Sequence, residues 1–285
     1  MKFDKKQIIL LLACLVLSLF TINTNVQAKT ATVVVGTQGA DAQIWRHIAQ
    51  STAAKKAHLT IKVKEINDGI QLNRATAEGS VDANAFQSYG YLMSYNHDNP
   101  QGKLVPIGTT YLEPLGLYSK KYRHLHQLPK HAKIAIADDP ANQTRSLQLL
   151  QHLGLIKLQA KHSTAAAIAD VQDNPHRLRF YPVNSSTVPR VLDDVAAGLI
   201  TNTVAQESGL NVWHDTLAHE KLNRSTQKNI NIIAVRPQSS HKPAMKKLVQ
   251  LYRQPSIQRY IQKSFHHTKI LVKEPIANLK ESNHG

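Results

Sequence analysis

Apolar and polar positions along this chain change period several times, and each change marks an element. Residues 32–36, TVVVG, are a compact β-branched run closed by glycine, and Ile44 and Ile48 then recur four apart in a stretch ending near Ala54. The pattern predicts a strand, a loop and a helix. Residues 59–66, LTIKVKEI, alternate apolar and charged as a half-exposed strand does, and residues 71–78 suit a helix that Gly79 ends. A β-α-β-α series of this kind implies an α/β fold on a mainly parallel sheet. Residues 81–84 read as a short strand or turn leading into an aromatic-rich helical segment with Phe86, Tyr89, Tyr91 and Tyr95. Two apolar runs follow, 104–108 and 115–118, separated by Thr109, Thr110, Tyr111, Leu112, Glu113 and Pro114. They read as strands that cross from one lobe toward another.

Residues 134–158, IAIADDPANQTRSLQLLQHLGLIKL, carry the densest local signals. Asp139 is a good helix N-cap, Pro140 suits the first helical position, and Leu147, Leu150 and Leu153 recur three apart before Gly154. Asn142 and Arg145, three apart, share a face of that helix near its free N–H groups. An arginine there offers a planar fork to a carboxylate, or else pairs with a neighbouring acid such as Asp138. Farther on, residues 163–171 are alanine-rich and read as helix, 177–183 as a strand broken by Pro182, and PRVLDDVAAG from Pro189 as a helix stopped by Gly198. Residues 199–202 then form a short strand that puts Asn202 at a strand end, where α/β folds place ligand groups and where an asparagine also shapes turns. Residues 229–236, NINIIAVR, are a strong strand able to return the chain to the first lobe. Two amphipathic pieces between 242 and 265 are separated by Pro255, and 270–285 reads as an irregular tail.

Composition narrows the function. Lysines at the front, an apolar run from 8 to 20 and small residues Val26 and Ala28 describe a secretory signal peptide over residues 1–28. The apolar run is shorter than the roughly 20 residues a membrane-spanning helix needs. Cys14 is the only cysteine and follows Leu-Leu-Ala, which approximates a lipoprotein processing box; cleavage after Ala28 is the preferred reading, and it leaves no thiol chemistry. The formal net charge is +16, but the basic residues are spread out without runs or interleaved aromatics, which argues against nucleic-acid binding. His124, His126 and His131 lie in a polar connector without metal-ligand spacing, and no GxSxG, HExxH or phosphate-loop motif is present. Neither a metal nor a cofactor is expected.

Four blocks in order, VDANAFQ, GTTYLEPLGLYSKK, ADDPANQTRSLQLLQHLGLIKL and LDDVAAGLITNTVA, resemble one family. The chain is similar, from about residue 33 to 236, to MetQ/NlpA-type substrate-binding proteins of ABC importers for methionine. The resemblance implies a type II-like periplasmic-binding-protein fold of two α/β lobes with two crossing strands as hinge, closing on an amino acid. Lobe 1 would be 29–117 with 228–285, and lobe 2 would be 118–227. It implies a monomer outside the inner membrane, periplasmic or membrane-associated, whose partners are an ABC permease and its ATPase, and which has no catalytic step.

Carried onto matching positions, Arg145 would pair with the ligand α-carboxylate beside Asn142, and Asn202 would hold the ligand backbone from the second lobe. Asn84, Phe86 and Gln87 would form the first-lobe wall. Three positions depart from the family: Ser88 stands where histidine is usual, Gly69 where an aromatic is usual, and Glu113, on the crossing segment with Tyr111, where tyrosine is usual. The backbone-binding positions are kept and the side-chain-binding ones changed. The expected ligand is therefore a more polar or cationic amino acid or short peptide, with Glu113 facing its cationic group and Gly69 and Ser88 leaving room. Methionine itself, or a basic surface-binding module without a small-molecule ligand, are the alternatives.

Overall fold

A computed structural model describes residues 30–159, 166–221 and 224–281. The leader expected over 1–28, including Cys14, lies outside the described residues. The chain runs through β1 (Ala31–Thr37), α1 (Asp41–Gln50), α2 (Thr52–Lys56), β2 (Leu59–Glu65), α3 (Gly69–Glu78), β3 (Ala83–Ser88), α4 (Tyr89–Asp98), β4 (Val105–Thr109), β5 (Tyr111–Leu112) and β6 (Gly116–Tyr118). It continues as β7 (Lys133–Ala137), α5 (Pro140–His152), β8 (Lys157–Leu158), β9 (Val171–Asp173), β10 (Arg179–Val183), β11 (Ala197–Ile200), α6 (Asn202–Glu207) and β12 (Thr216–His219). The last part holds β13 (Asn231–Val235), α7 (Pro243–Tyr252), α8 (Pro255–Ser264), β14 (Ile270–Leu271) and α9 (Ile276–Glu281).

Two five-stranded sheets share one plan, in the orders β2-β1-β3-β13-β4 and β10-β7-β11-β6-β12. In each, four strands run in one direction and only the fourth in order, β13 or β6, runs against them. The sheets are thus mainly parallel, as expected, each made mixed by one reversed strand. The chain leaves the first sheet after β4, enters the second at β6, and returns at β13, so the segments at 104–118 and 229–236 do cross as expected. β5 pairs with β14 in a small ribbon beside the first crossing.

Burial follows the sequence periods. β1 and β2 point Val33, Val35, Leu59 and Ile61 into a core that α1, α7 and α8 cover with Ile44, Trp45, Ile48, Leu248, Ile257 and Ile261. The second sheet buries Ile134, Ile136 and Leu199 under Leu147 and Leu150 of α5. Helix ends sit where the sequence places them: Asp139 accepts a hydrogen bond from the Asn142 N–H, and Gly79 closes α3 at φ +90°. That φ is open to glycine without strain.

Five local expectations change. Phe86 belongs to β3, and the aromatic helix begins only at Tyr89. The described end of the alanine-rich segment is a 3-10 turn (Ile168–Asp170) followed by β9 rather than a helix. The expected helix from Pro189 is a 3-10 turn over Ser185–Val191, and the chain straightens again by β11. Pro182 lies inside β10 instead of breaking it, because β10 is an edge strand where a missing N–H leaves no ladder bond unmade. The tail is ordered through 281: β14 joins β5, and Leu279 of α9 is buried with Tyr89, Leu92 and Ile232.

Candidate binding site

A cavity of about 360 Å³ opens where elements of the two sheets face each other. Gly69 and Ile70 of α3, Phe86, Gln87 and Ser88 of β3, and Tyr91 of α4 line one side. Asp138, Asp139, Pro140, Asn142 and Arg145, the turn at 184–186, and Thr201, Thr203 and Val204 line the other, with Glu113 from the crossing segment. A volume of this order suits a small ligand.

Seven of the ten residues singled out in the sequence meet there: Gly69, Phe86, Gln87, Ser88, Glu113, Asn142 and Arg145. Asn84, Tyr111 and Asn202 do not line the cavity but stand behind it. Asn84 is fully buried in an amide cluster, donating to Thr76 and Asn73 at 2.8 and 3.1 Å, while Gln87 donates to Asn73 and Asn84 at 2.7 and 2.8 Å. These bonds satisfy buried amides that would otherwise be costly, and they fix Gln87 in the wall. Tyr111 donates its hydroxyl to the buried Asp41 carboxylate. Asn202 opens α6 after its cap residue Thr201, and its side-chain amide donates to Glu113 and Thr268 at 3.0 and 3.1 Å. The residues of that stretch that face the cavity are Thr201 and Thr203 instead.

Arg145 and Glu113 carry the main electrostatic surprise. The guanidinium donates from Nε to Glu220 Oε1 at 2.9 Å and from Nη2 to Glu220 Oε2 at 2.5 Å and the Glu113 carbonyl at 2.7 Å. The two-pronged seat expected for a ligand carboxylate is therefore taken by Glu220, a partner distant in sequence and as buried as the arginine. Burial alone would lower the guanidinium's proton affinity, but the Glu220 carboxylate outweighs it and holds Arg145 charged. Glu113 does not wait for a ligand cation either. Its carboxylate is 2.9 Å from the fully buried Lys269 ammonium and also accepts from Asn202 and Thr203. Burial pushes the Glu113 carboxyl up, and the Lys269 ammonium with the Asn202 amide more than reverses this, so it stays ionised.

The glycine and serine substitutions do not simply make space. A Cβ on Gly69 would fall 2.7 Å from the Tyr91 hydroxyl and 2.9 Å from Phe86, so those two rings occupy the volume. Ser88 accepts from the Tyr91 N–H at 3.1 Å and caps α4, which aims Tyr91 into the cavity. Burial first, then the Asp139, Asp68 and Asp138 carboxylates, push the Tyr91 phenol up, so it remains a neutral hydroxyl among three acids. Asp68 caps α3 through the Gln71 N–H at 2.8 Å, and Asp139 accepts from Asn142 and Ser185; Asp138 is exposed. Among the described residues no lysine or arginine pairs with these three. Glu220 and Lys269 were missed from sequence because both sit in polar stretches whose local pattern carries no signal.

Two mixed sheets, two crossing strands and a cavity between them define the two-lobe fold of a substrate-binding protein. The family profile described as NlpA lipoprotein matches residues 33–272, and the chain belongs to that family. It is similar to the D-methionine-binding lipoprotein MetQ of Escherichia coli, 34% identical over 229 residues that cover 80% of this chain and 83% of that protein. A nutrient-binding protein from Burkholderia cenocepacia solved bound to methionine superposes with a TM-score of 0.80 at 38% identity, covering 84% of this chain and 99% of that one. A periplasmic substrate-binding protein of an ABC transporter from Coxiella burnetii gives 0.79 at 34% identity, covering 84% of this chain and all of that one, 100%.

Proposed function

We propose that this protein is the extracytoplasmic substrate-binding component of an ABC importer, and that its ligand is an amino acid or short peptide with a polar or cationic side group. The observation that carries the second part is the charge of the cavity. In a chain of net charge +16, the lining holds Asp68, Asp138 and Asp139 around the Tyr91 hydroxyl, while its one described cation, Arg145, is neutralised by Glu220 and Glu113 by Lys269. An acidic cavity on a basic protein favours a ligand that brings positive charge to those aspartates. Asn142 and the Thr201 and Thr203 side chains supply neutral polar contacts beside them.

In this reading residues 29–117 with 228–285 and residues 118–227 are the two lobes, and closure around the ligand follows from its higher affinity for the closed form. The closed monomer is recognised by a permease driven by its ATPase; no cofactor and no nucleic acid take part, and no bond is made or broken in the ligand. The family's lipoprotein character and the leader place the protein outside the inner membrane, with Cys14 as the single point where a lipid could be attached. A second reading, methionine itself, is favoured by the methionine bound to the Burkholderia relative.

Thermal unfolding with a panel of free amino acids and dipeptides separates the two, because a ligand of the folded state raises stability with its concentration. Stabilisation by lysine, arginine, histidine or a basic dipeptide supports the proposal. Stabilisation by D- or L-methionine alone establishes the second reading instead.

A further inference from the structure

Helix α6 joins the two halves of the molecule through bonds supplied entirely by the chain. It follows β11 of the second sheet and packs into that half through Ala205, with Tyr118, Val188 and Ile200. Yet its polar groups reach across. Thr203 Oγ1 accepts from Lys269 Nζ at 2.9 Å and donates to Glu113 Oε1 at 3.1 Å, and Asn202 donates to Thr268 at 3.1 Å. Gln206 donates to Thr268 at 2.6 Å, and Glu207 accepts from the Ala40 N–H at 3.0 Å. Ala40 and the segment just before Lys269 belong to the first half, packed with Ile44, Ile261 and Phe265.

Lys269 is the centre of this contact. Its ammonium, fully buried, donates to Glu113 and Thr203, is paired with Asp41 at 2.9 Å, and lies 4.1 Å from the centre of the Tyr111 ring. A buried lysine is tolerated only when matched in this way. Three hydrogen-bonded or paired oxygens at one distance, drawn from α1, the crossing segment and α6, mean that the ammonium fits its seat only while these three pieces stay together.

We infer that Lys269 is a positioning residue of the binding site: it clasps α6 to the first half and so sets the balance between open and closed lobes on which ligand retention depends. The inference rests on the two-lobe binding reading. Thr201, Thr203 and Val204, on and beside the clasped helix, also line the cavity, so opening the clasp withdraws part of the ligand's wall. A closed form stabilised by the chain itself raises apparent affinity for any ligand of that form, in proportion to its population.

The test needs no ligand. Small-angle scattering is measured on the purified protein without added amino acid, beside Lys269→Met, Thr268→Val and Glu207→Ala, with circular dichroism as the check on folding. The expected result is a compact wild type and a larger radius of gyration in each folded variant, greatest for Lys269→Met. If that variant does not fold, the other two decide, since Thr268→Val removes the two bonds from Asn202 and Gln206 and Glu207→Ala removes the one from the Ala40 N–H, all at the edge of the network. Equal radii in wild type and folded variants overturn the inference, as does a wild type already expanded. A panel in which nothing binds would sink the functional reading without altering this result.

Discussion

The same cavity is bordered by two groups of acids that the protein treats in opposite ways. Glu113, with Glu220 and Asp41 behind it, is matched by Arg145 and Lys269, and every one of these charges is buried. Asp68 and Asp139 meet backbone, amide and hydroxyl donors, Asp138 is exposed, and the three leave their charge uncancelled. The difference teaches that the residue types most suggestive of ligand binding in the sequence, an arginine at a helix start and a glutamate in a crossing strand, hold the scaffold together. The acids that look like ordinary helix caps are the ones whose field remains for a ligand.

Breaking the first group should cost most. Arg145→Ala leaves Glu220 buried without its partner, and loss of one member of a buried pair costs about 3–5 kcal/mol. Urea denaturation should show this, together with loss of binding; a variant as stable as wild type would mean that Glu220 is hydrated and the pair is superficial. Glu113→Gln should cost less, about 2 kcal/mol, because Asp41 still faces the ammonium and an amide keeps part of the bonding to Asn202 and Thr203.

Acid sharpens the contrast within that group. Burial raises the Glu113 carboxyl, but Lys269 outweighs it, so its folded value lies below the usual 4.5; its stabilisation is complete above that and fades as pH falls through the lower folded value. Asp41 runs the other way. Burial lifts it above 3.8, against the pull of Lys269, so its ionised form costs stability at higher pH and the cost disappears as pH falls. The two offset each other. Asp41→Asn should therefore lose stability more steeply than wild type between neutral pH and about pH 4, measured from urea midpoints. Parallel curves would show that Asp41 does not oppose Glu113.

The second group should respond in binding rather than stability. Asp139→Ala removes the cap of α5 and should cost about 1 kcal/mol, whereas the exposed Asp138→Asn should stay within about 0.5 kcal/mol of wild type. Asp138→Asn should nevertheless weaken a cationic ligand about tenfold, a loss of about 1.4 kcal/mol, by calorimetric titration. Unchanged affinity would remove Asp138 from the recognition of charge.

Much of this was legible in the sequence. Helix α5 was readable from Asp139, Pro140 and its leucine stripe because capping and periodicity are local, and the crossings were readable because apolar runs bracket the 109–114 segment. The family could be read from its four ordered blocks. What could not be read was pairing between distant residues: Arg145 with Glu220, 75 positions apart, and Glu113 with Lys269, 156 apart. Asn202, expected to hold the ligand backbone, opens α6 with its side-chain amide bonded to Glu113 and Thr268, and Thr201, Thr203 and Val204 line the cavity. Gly69 looked like added room only because Tyr91, contributed by the next helix, could not be placed from its neighbours.

Mass spectrometry of the small molecule carried through purification tests the central claim most directly. The account predicts an amino acid or short peptide with a polar or positively charged side group. Methionine, or a ligand with no amino-acid unit, would contradict it.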